Sequence, residues 1–455
     1  ADSVGGTADL DENLIEEVTS IVEAPHIYKA TFDERFLKVP SEALVYTMKG
    51  DQKYFPIYDS QNKLMPYFAF ISNICPDDPS SLIAGNERVI RPRLFDAEFF
   101  FNNDRKATLE SYFSKLENIV YQKDIGTIAY RSNCVEAVAT YIANLIGADV
   151  AKTARAAHLA KCDLATTMVG EFTDTQGVMG MHYAELDGED PEVSQAIFDQ
   201  YLPRFSGDII PKKPVEIALS LAEKIVTLVG IFGINQLPKG DKDPFGLRRA
   251  AIGFIRIILE NNLSLNFVDI VNKTVEVLKD KIKSSDTKDN VINFIYNRLK
   301  GTYSDKNVDG SFYQAVLFTK PDDLIDFDKR IFAVQQFKSL PESENLAIAY
   351  KRINNILSKA STISSVVNSN LFENDSERML FNTLNNVKEK VNSLYDSKDY
   401  TGALSILADL RNPVDDFFNN VIVNSDNETI RNNRIALLQQ LKEIMSKTAD
   451  ISVLY

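Results

Sequence analysis

The sequence has little of what stabilises disulfide-rich or metal-binding domains. Its 455 residues include three histidines and three cysteines, Cys75, Cys134 and Cys162. The cysteines are odd in number and widely spaced, which supports neither a disulfide framework nor a zinc knuckle. Three histidines are too few for a histidine-rich metal site. We therefore expect no bound metal and a reduced, cytoplasmic environment.

Long apolar runs and excess positive charge are also absent. No apolar run approaches the roughly 18 residues of a membrane span, so no membrane partner is expected. The net charge of −14 argues against a general nucleic-acid binder, and no DNA partner is expected. Local basic patches on an acidic protein can still dock one RNA, and the overall charge then suppresses non-specific binding.

The hydrophobic pattern predicts a mainly α protein with a small α/β domain at the start. A chain of this length suggests about three domains. The runs ALVYTM, YFPIYD and YFAFISNI indicate a small antiparallel sheet after an amphipathic helix at 10–22. Helical periodicity then dominates. We predict an α/β domain at 1–108, an all-α domain at 109–260, a helical connecting region at 261–330 and a helical bundle at 331–455.

The stretch GDKDPFGLRRAAIGFIRIILE at 240–260 has the features of a capped helix with a basic edge. Asp243 and Pro244 are typical of an N-cap and the first helical position. We therefore predict a helix from Pro244 whose free N–H groups and neighbouring cations suit a phosphate. The alternative is a core helix with solvated arginines. The candidate cations are Lys239, Lys242, Arg248 and Arg249.

The same stretch resembles the KDPFALRR segment of the β subunit of bacterial heterotetrameric glycyl-tRNA synthetase. Similar segments follow the family's order: FLKVPSEALVYTMKGDQKYFPIYD, GNERVIRPRLFDAEFFFNNDRK, KCDLATTMVGEFTDTQGVMGMHYAELDGE and RNPVDDFFNNVIVN. The resemblance covers nearly all of the chain. Family members carry a further large N-terminal region, so the resemblance implies an N-terminally truncated fragment.

The segment RAAHLAKCDL resembles the second motif of the HD phosphohydrolase fold, in which a His-Asp doublet helps to hold a metal. Here the doublet reads Cys162-Asp163, and Glu223 aligns best with the fold's distant aspartate. The first histidine of the fold has no counterpart between Asp124 and Ala137. We therefore interpret 109–260 as an HD-like fold with degenerate metal positions, kept as a scaffold or RNA-contact surface.

The last 125 residues resemble the helical anticodon-binding module that the family shares with arginyl-tRNA synthetase, a DALR-like domain. Two ordered polar faces carry the resemblance, one on AYKRINNIL and one on NPVDDFFNNVIVNSDNETIRNNRIALL. Amides offer both donors and acceptors, whereas guanidinium offers only donors. We therefore expect the asparagines to read bases and the arginines to position the strand. The candidates are Lys351, Arg352, Asn355, Asn424, Arg431, Asn432 and Arg434.

An aminoacyl-tRNA ligase must also bind ATP, yet the sequence has no P-loop, Rossmann glycine pattern, HIGH or KMSKS signature. In the family that this chain resembles, a separate α subunit holds the catalytic core. The resemblance thus implies a tRNA-binding subunit of an α2β2 glycine–tRNA ligase with no catalytic residue and no cofactor of its own. ATP and Mg would bind at the α subunit.

Two alternatives remain open from the sequence. The chain would be a helical scaffold with a degenerate HD fold and no RNA partner, or an HD-type phosphohydrolase with an unusual metal site. RNA titration distinguishes the first from a tRNA-binding subunit. Metal analysis with a phosphatase assay distinguishes the second.

Overall fold

The computed structural model describes residues 1–360 and 366–455 of the chain. These residues form two compact units, Ala1–Gln236 with Glu276–Ser284, and Leu237–Val275 with Ser285–Tyr455. The prediction of a mainly α protein with a small sheet near its start is confirmed. The domain limits differ from the four predicted segments, because 237–260 belongs by its contacts to the second unit.

The first unit begins with a four-stranded antiparallel sheet of order β1-β3-β4-β2. The pairing of β2 with β4 runs from His26 opposite Ser72 to Thr31 opposite Tyr67. Phe68 and Phe70 are buried on one face of the sheet, and Phe55, which lies opposite Ala69, is buried on the other face against Leu14 and Val18. The elements are β1 (Thr7–Ala8), α1 (Glu12–Ile21), β2 (His26–Thr31), α2 (Ser41–Tyr46), β3 (Phe55–Tyr58), β4 (Leu64–Ser72) and α3 (Ser80–Asp104).

The run ALVYTM is helical, so its prediction as a strand is wrong. It forms most of α2 and continues into a short π-helical turn, Thr47–Asp51. Ala43, Leu44, Thr47 and Met48 are all fully buried. That i, i+4 spacing places one face of a helix in the core, and this packing outweighs the strand preference of valine and tyrosine.

Apart from a two-stranded sheet, the rest of the first unit is helical and packs around a central helix, α9. Nearly every residue of α9 is buried, and it packs against α4, α5 and α8. The helix α5 ends at Leu159, and a 3-10 turn, Cys162–Ala165, precedes the next helix. The elements are β5 (Val120–Gln122), β6 (Gly126–Thr127), α4 (Ile128–Ile146), α5 (Val150–Leu159), α6 (Thr167–Glu171), α7 (Val178–Leu186), α8 (Pro191–Asp199) and α9 (Pro214–Gly233).

Among the residues described in the second unit, the regular elements are helices, and they include the predicted C-terminal bundle. In that bundle α16 packs against α17, α18 and α19, and α15 packs against α18 and α19. The helices are α10 (Leu247–Glu260), α11 (Phe267–Val277), which crosses the limit between the units, α12 (Thr287–Asp305), α13 (Gly310–Leu317), α14 (Leu324–Lys338), α15 (Ser343–Leu357), α16 (Asp375–Asp396), α17 (Tyr400–Ala408), α18 (Arg411–Asn420) and α19 (Glu428–Met445).

The lengths and compositions of the helices show whether any of them could cross a membrane. None of the helices within 1–360 and 366–455 combines the length and the apolarity that crossing a bilayer requires.

Candidate RNA-binding site

A polar cavity opens between the end of α15 and the start of α19 in the second unit. Its volume is 530 Å³, within the range of about 300–1,000 Å³ of small-molecule sites. Five residues that the sequence predicted for RNA binding line it together, although they are up to 80 positions apart. The lining residues are Arg352, Asn355, Ile356, Lys359, Ala360, Asn424, Glu428, Arg431, Asn432 and Ile435.

The α15 side of the cavity presents a guanidinium that lies over an aromatic ring. The buried residues Ala349, Tyr350 and Ile353 fix one face of α15 in the bundle, which turns Arg352 and Asn355 to the outside. The Arg352 guanidinium carbon lies 4.2 Å from the centre of the Phe418 ring. A guanidinium held on an aromatic ring keeps its other plane for a further stacking partner, such as an RNA base.

The α19 side is fixed by a helix cap. The side-chain oxygen of Asn427 accepts hydrogen bonds from the N–H groups of Thr429 and Ile430, at 3.0 and 3.4 Å. The first turn of α19 then carries Arg431 and Asn432 into the cavity lining. Arg431 also donates a hydrogen bond to the carbonyl oxygen of Ser425 at 3.1 Å, which ties its side chain to the preceding loop.

Arg434 does not belong to this surface, and we correct its prediction as an RNA contact. It is buried, and its guanidinium donates to both carboxylate oxygens of Glu377, with Nε 2.8 Å from Oε1. It also donates to Glu373 and to the carbonyl oxygen of Ile422. The hydrogen bonds to Glu377 raise the pKa of Arg434. Because Glu377 is itself fully buried, this arginine holds the bundle together.

Two further charged residues, one just beyond the end of α15 and one on α19, line the cavity and were missed by the sequence interpretation. Lys359 follows Asn355 by four positions and Arg352 by seven, so helical periodicity alone places it on the same side of the chain. Glu428 precedes Arg431 by three positions and Asn432 by four. Lys351, in contrast, is exposed on α15 but does not line the cavity.

The predicted start of the helix after Asp243 needs correction. The helix α10 begins at Leu247, and the preceding Gly246 is left-handed with φ of 63°. Asp243 to Gly246 forms a β-turn closed by the Gly246 N–H and the Asp243 carbonyl oxygen, with Pro244 in the favoured second position. Asp243 still caps the helix, because its carboxylate accepts hydrogen bonds from the N–H groups of Leu247 and Arg248 at 2.9 and 2.8 Å.

That cap changes the interpretation of the basic stretch in front of α10. The Asp243 carboxylate already uses two N–H groups of the first turn, so the helix end does not offer the predicted free donors for a phosphate. Lys239 and Lys242 are exposed and pair through their backbones in a tight turn, while the Arg248 side chain donates to the carbonyl oxygen of Gly240. Arg249 is also exposed. None of these four cations lines the cavity described above.

In the first unit, cations surround the glutamate that aligns with the HD fold's distant metal ligand. The Glu223 carboxylate lies 2.6 Å from the Arg131 guanidinium and 3.8 Å from the Lys161 ammonium. Burial alone would raise the pKa of Glu223, but the charges of Arg131 and Lys161 outweigh it and lower the pKa to about 2. Arg131 falls within the segment where the fold's first histidine has no counterpart, and its guanidinium supplies positive charge at the carboxylate.

The other degenerate HD positions are also engaged within the protein. One carboxylate oxygen of Asp163 accepts a hydrogen bond from the Gly177 N–H at 2.5 Å, and burial raises the pKa of this group. The Cys162 thiol is buried, contacts the His158 carbonyl oxygen, and has its pKa raised to about 12 by burial. The His158 ring stacks on Phe113 with centroids 4.1 Å apart. No group of three or more metal-ligating side chains is found within 1–360 and 366–455.

Comparison with known proteins finds two matching family models and several curated relatives. Residues 1–318 match the family model described as glycyl-tRNA synthetase beta subunit, and residues 346–451 match the DALR anticodon binding domain. The chain is 50% identical over 454 residues to the glycine–tRNA ligase beta subunits of Actinobacillus pleuropneumoniae serotype 7 and Haemophilus influenzae strain PittEE. It is 49% identical over 455 residues to that of Klebsiella pneumoniae subsp. pneumoniae. These alignments cover 100% of this chain and 66% of each relative.

Proposed function

Because the chain belongs to the family of glycyl-tRNA synthetase β subunits, we propose that it binds and positions glycine tRNA for attachment of glycine. The observation that carries this proposal is the cavity between α15 and α19, which lies in the anticodon-binding region and is lined by three cations and three asparagines. Guanidinium and ammonium groups neutralise phosphates, and amides hydrogen-bond to the edges of unstacked bases.

The division of work between subunits is part of the proposal. A separate α subunit would activate glycine with ATP and Mg and transfer it, in an α2β2 assembly located in the cytoplasm. This chain supplies no ATP motif, and its cavity is lined mainly by polar and cationic groups suited to RNA. Its contribution is to hold the anticodon while the acceptor end reaches the partner's site.

The geometry around Glu223 argues against the alternative of an HD-type phosphohydrolase. A carboxylate that ligates a metal must present its charge to the ion. Here that charge is already neutralised by an arginine at hydrogen-bond distance and by a buried lysine. The arrangement fits a structural core, so the absence of a bound metal stays our prediction for this part of the chain.

The test is a titration of the chain with glycine tRNA and with a non-cognate tRNA over a range of salt concentrations. The proposal predicts tighter binding of glycine tRNA and a log–log salt slope that reflects several phosphate contacts. It also predicts that the chain forms glycyl-adenylate only when the α subunit is added. Equal, weak binding of both tRNAs at every salt concentration would contradict it.

A further inference from the structure

One residue of the cavity does not fit a site for phosphate alone. Glu428 is the first residue of α19, and it lines the cavity together with Arg352, Lys359 and Arg431. Within 1–360 and 366–455, no cation lies within 4.0 Å of its carboxylate in an ion pair, and no hydrogen bond reaches it. The carboxylate is thus unpaired in a cavity that three cations line.

Capping of α19 does not account for this carboxylate. The neighbouring Asn427 already accepts hydrogen bonds from the first-turn N–H groups of Thr429 and Ile430. A negative charge near a helix N-terminus stabilises the helix only slightly at an exposed position. That benefit would be the same for a side chain directed away from the cavity, so it does not explain the place of Glu428 in the lining.

The effect of Glu428 on a bound RNA depends on which part of the RNA it meets. Against a phosphate the carboxylate is repulsive and opposes the three cations beside it. Against a base edge it accepts hydrogen bonds only, because an ionised carboxylate has no donor. An exocyclic amino group, as in cytosine, guanine or adenine, supplies the donor it needs. Uracil presents carbonyl oxygens in place of that amino group and repels the carboxylate there.

We propose that Glu428 is a specificity-determining residue that accepts a hydrogen bond from the amino group of one anticodon base and discriminates against uracil. This inference rests on the proposed function, since it requires the cavity to hold an unstacked base. The Arg352 guanidinium on Phe418 provides a plane on which such a base stacks. Arg431 and Lys359 provide charge for the adjoining phosphates.

The experiment measures binding of the full chain to the anticodon stem-loop of glycine tRNA and to stem-loops in which each anticodon base is replaced in turn by uridine. The variant is Glu428→Gln, which keeps the shape of the side chain but adds an amide donor able to face a uracil oxygen. Glu443→Gln is the matched control, because Glu443 lies exposed on the same helix and does not line the cavity. Arg431→Ala serves as the variant for phosphate contact.

The expected result is position-specific. At one anticodon position, uridine should weaken binding to the native chain about tenfold, the scale of a good base contact. Glu428→Gln should remove most of that difference and leave the effects at the other positions unchanged. Glu443→Gln should behave like the native chain, and Arg431→Ala should weaken all stem-loops alike.

Two other outcomes have distinct meanings. If Arg431→Ala weakens all stem-loops while Glu428→Gln and Glu443→Gln show the native discrimination at every position, the cavity binds RNA but Glu428 does not read a base. The inference would then be overturned and the proposed function would stand. If the native chain binds none of the stem-loops and does not bind glycine tRNA, both fail together.

Discussion

The ion pair between Arg131 and Glu223 gives the sharpest stability prediction for the first unit. Both side chains are buried, and the Arg131 guanidinium donates to the Glu223 carboxylate at 2.6 Å and to the Thr227 hydroxyl at 2.8 Å. The substitution Arg131→Met keeps much of the volume but leaves the carboxylate buried with the buried lysines Lys161 and Lys224 as its remaining cations. Removing one partner of a buried pair costs about 3–5 kcal/mol, because the remaining charge has lost its compensation.

The pKa of Glu223 gives a second value for the free energy that its charge interactions contribute to folding. The ordinary value is 4.5 and the folded value is about 2. At about 1.4 kcal/mol for each pKa unit, this difference corresponds to about 3 kcal/mol of stability. Because the folded pKa is depressed, the contribution is complete above about pH 5 and is lost as the pH falls from 5 towards 2. In Arg131→Met the acid-dependent loss over this window should shrink.

The assay is urea denaturation of the native chain and its variants between pH 3 and pH 7. The matched control is Arg155→Ala, since Arg155 bonds Glu110 and Glu189 but is about one-third exposed. An exposed pair of this kind contributes at most about 1 kcal/mol. The double variant Arg131→Met with Glu223→Leu should recover only part of the loss, because it removes the uncompensated carboxylate but leaves the buried Lys161 without the carboxylate that it faces. A single variant no less stable than the Arg155→Ala control would refute the reasoning.

Three further predictions concern other parts of the chain. Arg434→Ala should lower the free energy of unfolding, measured by urea denaturation, by about 3–5 kcal/mol, because Glu377 is left buried without its partner. A stability equal to the native value would make Arg434 a candidate RNA contact again. Asp243→Ala should cost about 1 kcal/mol, whereas Asp243→Asn should lose less, because its one amide oxygen can still accept from one of the two N–H groups; equal losses in both variants would contradict a cap. Cys75 is exposed and should react with a thiol reagent in the folded chain, while the buried Cys162, with its pKa raised to about 12, should react only after unfolding. Equal labelling rates would contradict the burial of Cys162.

Local periodicity predicted most of the C-terminal bundle but not which polar residues face outward. The helices α16 and α19 are long and lie within the helical bundle predicted at 331–455. Arg431 and Arg434 are three positions apart and carry the same charge, so spacing alone groups them on one face. Their difference depends on Glu377, 57 positions away, and no local pattern reveals it.

A sequence signal for the burial of Arg434 does exist. The apolar run from Ile435 to Leu438 is too wide for a helix with one solvated face, which indicates that α19 is enclosed on several sides at this level. Glu377 follows Asn374 by three positions in a capping box, which predicts a carboxylate held at the start of α16. Matching the two requires knowledge of how the helices pack.

Turn chemistry accounts for the error at α10. The sequence DPFG satisfies both a helix start at Pro244 and a β-turn that ends at Gly246. The glycine distinguishes the two, because it adopts a left-handed φ of 63° that a helix from Pro244 would not contain. The role of Asp243 as a cap was predictable because a carboxylate at this spacing reaches the first-turn donors in either case.

The central claim is that RNA binds in the cavity between α15 and α19. It is tested most directly by comparing Arg352→Ala with Arg378→Ala in a titration with glycine tRNA. Both guanidiniums lie over phenylalanine rings, Arg352 over Phe418 at 4.2 Å and Arg378 over Phe372 at 5.9 Å, but only Arg352 lines the cavity. We predict that Arg352→Ala weakens binding by about 1–3 kcal/mol, the scale of a lost stacking contact, while Arg378→Ala leaves it within twofold of the native value. Equal affinities for the two variants would contradict the account.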